Sequence, residues 1–93
     1  MPSVILHDEP RHRFTYERDG QVSYLQYHRL DEHTVDFAST YTPPALRGRG
    51  IAARVVEHAF RWAEESGYKV VPTCWFVAEL VDRKPEWRRV LSS

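Results

Sequence analysis

Several things are scarce in this chain, and each scarcity excludes a class of protein. It holds one cysteine, Cys74, so no intrachain disulfide can form and a disulfide-stapled fold is excluded. Neither charge is in excess, because thirteen Lys and Arg balance thirteen Asp and Glu. General affinity for nucleic acid or an anionic membrane needs surplus positive charge, so neither is an expected partner. No apolar run approaches the ~20 residues that a membrane helix requires. The amino terminus offers only Val4-Ile5-Leu6 before His7 and Asp8, too little for a secretory leader. A reducing, cytoplasmic compartment is the expectation. With no repeat, low-complexity tract or linker, 1–93 reads as a single domain.

What is present suits a small folded domain. The chain is 42% hydrophobic and 28% charged, well outside the disordered range. At 93 residues, a domain buries only roughly 60% of its unfolded surface, so the core is thin. Residues 1–12 are weakly patterned, with Pro2 and Pro10 limiting regular structure, although Val4, Ile5 and Leu6 can pack against the first strand. From Arg13 the period becomes two. Phe14 and Tyr16 alternate with polar residues, Asp19-Gly20 supplies a hairpin turn, and Ser23, Leu25 and Tyr27 share a face of the next run. Leu30-Asp31-Glu32 reads as a connection into a strand over His33 to Tyr41. These signals predict an antiparallel three-stranded meander.

Ile51 to Ser66 then has a helical stripe through Val55, Val56, Ala59, Phe60 and Ala63, ended by Gly67. Tyr68 to Pro72 is a short apolar strand, which makes a β-α-β crossover, right-handed by chain geometry. Trp75 to Arg83 has helical spacing, Pro85 interrupts it, and Trp87, Val90 and Leu91 fold back on the domain. The fold class is α+β with a mixed sheet.

Between the third strand and the long helix lies Arg47-Gly48-Arg49-Gly50-Ile51-Ala52. Its glycines leave backbone N–H groups uncovered where the first helical donors lack intrahelical acceptors. Those donors and the positive helix end form an anion site, with Arg47 and Arg49 adding charge. A phosphate-bearing ligand is the natural occupant. Read in isolation, the same run is an ordinary helix-capping loop. It is no Walker loop, since no Lys-Ser or Lys-Thr follows the second glycine.

The run fits the [Q/R]-x-x-G-x-[G/A] signature, and the match extends in both directions. Ser39-Thr40-Tyr41-Thr42-Pro43-Pro44-Ala45-Leu46 precedes it, Val70-Val71-Pro72-Thr73-Cys74-Trp75-Phe76-Val77 follows, and Pro85-Glu86-Trp87 comes last. In this order the segments resemble a minimal subfamily of the GNAT-type N-acetyltransferases, from about Arg13 onward. The resemblance implies a GNAT-like mixed sheet and acetyl-CoA as cofactor. It implies that Arg47 to Ala52, with Thr40, Thr42 and Leu46, hold that cofactor, between strands splayed to admit the pantetheine arm.

Cys74 and Ser39 are the candidate catalytic residues. The Cys74 thiol is either a small buried hydrophobe or a group beside the thioester. There it could accept the acetyl group, protonate the departing thiolate, or shape the tunnel. Ser39 stands where the subfamily places histidine, and a neutral serine cannot deprotonate an ammonium group. His33, Glu79 or water are substitutes that the sequence does not choose between. The other histidines, His7, His12, His28 and His58, lack metal-ligand spacing and read as surface or hairpin residues. Trp75 narrows the acceptor entrance or covers the core. Arg83, Lys84, Arg88 and Arg89 form a solvated cationic face or supply one contact to the cofactor's 3′-phosphate. The expected activity is acetyl transfer to an amine of a small molecule or protein; the alternative is a non-catalytic acyl-CoA-binding module. An uncovered strand edge makes a homodimer compatible with this reading.

Overall fold

A computed structural model describes residues 4–92. A five-stranded sheet runs in chain order, β1 (Ile5–Asp8), β2 (Arg13–Arg18), β3 (Gln21–Asp31), β4 (Thr34–Tyr41) and β5 (Lys69–Val71). The first four strands are antiparallel neighbours, and β5 lies parallel to β4. Helix α1 (Ile51–Ser66) makes the crossover between β4 and β5, and α2 (Trp75–Arg83) follows β5. Pro85–Val90 is a 3-10 turn that brings Leu91 beside Val70 in a parallel bridge.

The meander has one strand more than the three read from the sequence. Ile5–Asp8, placed in the weakly patterned segment, pairs with β2 instead of merely packing on it. Pro10 does not interfere, because it sits in the 3-10 turn Glu9–Arg11 between the strands. Pro2 lies outside the described residues. His7 is likewise no surface residue. Its ring stacks on Phe14 at 4.2 Å, meets Trp62 edge-on at 4.8 Å and shares a 2.6 Å hydrogen bond with the Tyr27 hydroxyl. Burial, joined by the positive charge of Arg29 and His58, holds its imidazole below the usual pKa against the opposing pull of Glu9 and Asp8. The connection after β3 is also shorter than expected. The strand continues to Asp31, whose side chain accepts the His33 N–H at 2.8 Å.

One core lies on one face of the sheet. Phe14, Leu25, Tyr27, Val35 and Phe37 project from the strands onto Val55, Val56, Ala59 and Phe60 of α1. Phe60 is gripped between Phe37 and Trp87, with ring centroids 5.1 and 5.3 Å away. Val77, Leu80 and Val81 of α2 join the same core as the apolar stripe of α1, so both helices lie on this face. Among the described residues the other face carries no helix: Leu6, Val22 and Tyr41 are all exposed there.

Candidate functional site

The site begins where β4 and β5 part. Their last paired rung is Asp36 against Val71. Beyond it β4 continues to Tyr41, while the chain after β5 turns away through Pro72. A final cross-link, from the Cys74 N–H to the Phe37 carbonyl at 3.0 Å, closes the apex of the wedge.

A bulge sets what faces the wedge. Gln26 pairs with Ser39 but Tyr27 pairs with Phe37, so Ala38 has no partner on β3. Before the bulge Val35 and Phe37 point into the core; after it the parity reverses. Thr40, opposite buried Leu25, takes the inward side and places its Oγ1 3.6 Å from Cys74 Sγ. Ser39, opposite Gln26, is exposed towards the bare face. The structure therefore brings Thr40 to Cys74 and turns Ser39 away from both. Cys74 itself is half-buried and stands at the N-cap of α2.

The glycine turn forms the outer wall. Gly48 and Gly50 have φ of 78° and 71°, left-handed values that glycine adopts without steric cost. A Cβ built at either position meets nothing within 4 Å. Gly50 is the N-cap of α1, without a side-chain cap, and no acid lies in the first turn. The N–H groups at the start of α1 thus open onto free space at the positive end of a 16-residue helix. Arg47 does more than add charge: its Nε donates to the Thr42 carbonyl at 3.0 Å and ties the loop together. Ser23 braces the same loop from below. Its buried hydroxyl donates to the Tyr41 carbonyl at 3.1 Å and lies 3.0 Å from Thr42 Oγ1.

Together these elements enclose an open cleft of about 900 Å³. Of the candidate catalytic and cofactor-holding residues, all line it except Arg49, which is exposed; the substitute bases His33 and Glu79 do not line it. Of the carboxyl-terminal cations, Arg83 lines the cleft and pairs with Glu79 at 3.1 Å. Lys84, Arg88 and Arg89 are held elsewhere, by Glu57, Asp82 and Glu64. His33 precedes Thr34, at the end of β4 opposite the wedge. Ser23, Thr73 and Phe76 were not selected from the sequence. Ser23 had a signal, as the one polar member of an otherwise apolar inward row; Thr73 and Phe76 had none.

The donor set fits a pyrophosphate, because open backbone amides, a helix start and flanking arginines favour a multiply charged anion. The wedge beyond it fits a narrow, mainly uncharged arm. A cleft of this shape suits a ligand with a charged head and an extended tail. The family described as GCN5-related N-acetyl-transferase matches residues 13–90, and this chain belongs to it. Protein NATD1 of Gallus gallus is 33% identical over 86 residues, covering 90% of this chain and 78% of that protein. Protein NATD1 of Homo sapiens is 33% identical over 86 residues, covering 90% and 76%. The fold is also that of a GCN5-like protein from Staphylococcus aureus solved by NMR, with a TM-score of 0.77. That match has 17% identity and covers 97% of this chain and 88% of the other. Among the described residues no helix is long and apolar enough to cross a membrane, and no cluster of His, Cys, Asp and Glu could hold a metal.

Proposed function

We propose that this protein transfers an acetyl group from acetyl-coenzyme A to an amine. The observation that carries the reading is the open cradle at Gly48 and Gly50 leading into the wedge beside Thr40 and Cys74. The amides from Gly48 to Ala53 would hold the pyrophosphate, with Arg47 fixing the loop and Arg83 at the rim. When bound, the cofactor supplies an acetyl thioester whose carbonyl carbon is open to attack by an amine. Beyond Phe37 the edge of β4 that faces away from β3 has no strand beside it among the described residues, leaving N–H groups of the wedge available to polarise a carbonyl. The single thiol suits a reducing, cytoplasmic setting.

Transfer is direct in this reading. The polar side-chain neighbour of Cys74 Sγ is a threonine hydroxyl, which cannot act as a base. Protein incubated with isotopically labelled acetyl-coenzyme A should carry no stable label on Cys74 by mass spectrometry; a labelled Cys74 contradicts the direct route. Ser39 in the histidine position favours a second reading, a module that binds acyl-coenzyme A without turning it over. Thiol release across a panel of amines and lysine peptides separates the two. Turnover supports the transferase, and micromolar binding by calorimetry without turnover supports the module.

A further inference from the structure

One rung of the sheet runs from its open edge to the wedge. Leu6 pairs with Thr15, Thr15 with Tyr24 and Tyr24 with Tyr41, so four side chains form a row across β1 to β4. Their strand neighbours Phe14, Tyr16, Ser23 and Leu25 are buried, so the row lies on the bare face. It floors a groove of about 550 Å³, bordered on one side by Val22. The other side is charged but occupied with itself. Arg11 pairs with Asp8 at 3.6 Å, and Arg13 donates to Gln26 at 2.7 Å with its guanidinium 4.3 Å over the Tyr24 ring. Cross-strand pairing accounts for Tyr24 against Tyr41, with ring centroids 5.8 Å apart. It does not account for Leu6, which ends the row 61% exposed. Tyr41 lines both this groove and the cleft. Thr40 lines the cleft too, although it points to the opposite face, so the cleft passes through the sheet where β4 and β5 part.

We propose that this row holds the tail of the acceptor, a primary amine carrying an unbranched apolar chain. The nitrogen lies at the wedge beside Tyr41, and the chain runs over Tyr24 and Thr15 to Leu6. The inference rests on the transfer reading above and names its substrate class. The groove meets the wedge from the face opposite α1, so the tail and the cofactor do not compete for space. From Tyr41 to Leu6 the row crosses three strand spacings, about 14 Å, which sets how long a tail can add contacts. An exposed apolar strip with a polar border, continuous with a cleft, is the usual form of a ligand track. The guanidinium over Tyr24 puts positive charge at the middle of the row, which repels a second ammonium group along the tail. Glu17, opposite Val22, is the acid of the groove that enters no ion pair among the described residues, and it stands outside the row.

The test measures thiol release from acetyl-coenzyme A with ethylamine, butylamine, hexylamine and octylamine. In wild type kcat/KM should rise about twofold per added methylene, half the gain of full burial because the groove is open. A flat series overturns the proposal. Leu6→Ser should lower kcat/KM for octylamine about fivefold and for ethylamine less than twofold, with coenzyme A affinity by calorimetry unchanged. Thr15→Asn, which interrupts the floor at its middle, should act alike; equal losses with both amines in these variants overturn the proposal. Octane-1,8-diamine should be a poorer acceptor than octylamine, and a preference for the diamine moves recognition to Glu17 and overturns the apolar tail. Sedimentation should show a monomer; a dimer that Leu6→Ser dissociates means that a second copy covers the row, and the proposal falls. If the wild type acetylates no amine, the transfer reading fails on its own. NMR titration of the coenzyme A-saturated protein with octylammonium then still decides, through shifts at Leu6, Thr15 and Tyr24, whether the row holds an apolar tail, and their absence overturns it.

Discussion

The two ends of α1 are built on opposite plans. Around its carboxyl-terminal half, His7, Phe14, Tyr27 and Tyr68 crowd against Trp62 with ring centroids 4.8 to 5.4 Å away. The Tyr68 hydroxyl there also receives a hydrogen bond from Arg29. At its amino terminus the backbone is left bare at two glycines, and the adjacent strands part. One end spends aromatic surface to hold a thin core together; the other withholds side chains so that a ligand can supply the contacts. If the cradle binds as proposed, stability and binding should be separable in this molecule.

The largest effect should come from the packed end. Phe14→Ala removes a fully buried ring that contacts His7, Tyr27 and Trp62. It should cost about 3–5 kcal/mol of unfolding free energy in urea denaturation, yet leave coenzyme A affinity of the folded fraction within about twofold. A comparable loss of affinity would break the separation of the two ends. The converse change is Gly50→Val. At φ 71° a branched residue costs roughly 1–2 kcal/mol in backbone strain. It also projects into the space above the helix start, so affinity should fall by about 100-fold, as for two charge-assisted hydrogen bonds lost. Calorimetry on protein shown to be folded by circular dichroism would check this, and undiminished binding would remove the basis of the proposed function.

The same contrast explains what could be read from the sequence alone. The wedge end was legible because its chemistry depends on residue types with few other uses: Gly48 and Gly50 beside arginines, and Cys74 after Pro72. The crossover and α1 followed from an uninterrupted apolar stripe. β1 was not legible, since four residues give too little alternation to outweigh Pro10 nearby, and its pairing is decided by His7 finding an aromatic socket built from β2, β3 and α1. Nor was the bulge at Ala38 legible. It carries no glycine or proline signal, and it alone decides that Thr40, not Ser39, meets Cys74.

A smaller effect should appear in the pH dependence of stability. The folded-state pKa of His7 is lowered, chiefly by burial and then by Arg29 and His58, against Glu9 and Asp8. The unfolded chain therefore binds more protons than the folded one below about pH 6.5. This contribution to stability is complete above that value and is lost as the pH falls through the folded pKa. The urea midpoint should drop between pH 7 and pH 5 in wild type, and the slope should flatten in His7→Gln, which keeps a partner for the Tyr27 hydroxyl. An unaltered slope would move the titration to another group.

The smallest change in stability should follow from Trp75→Ala, and it sharpens the comparison most. Trp75 is 72% exposed while lining the cleft; Trp62 and Trp87 belong to the packed side of the molecule. Its loss should alter unfolding free energy by no more than about 0.5 kcal/mol, as for a surface residue. Yet of the three tryptophans it is the one placed to sense occupancy of the wedge. Wild-type fluorescence should change on adding coenzyme A, and Trp75→Ala should bind the same ligand with that signal abolished. If the signal persists, a ligand at the open end perturbs the aromatic packing at the other, and the two ends of α1 are coupled after all.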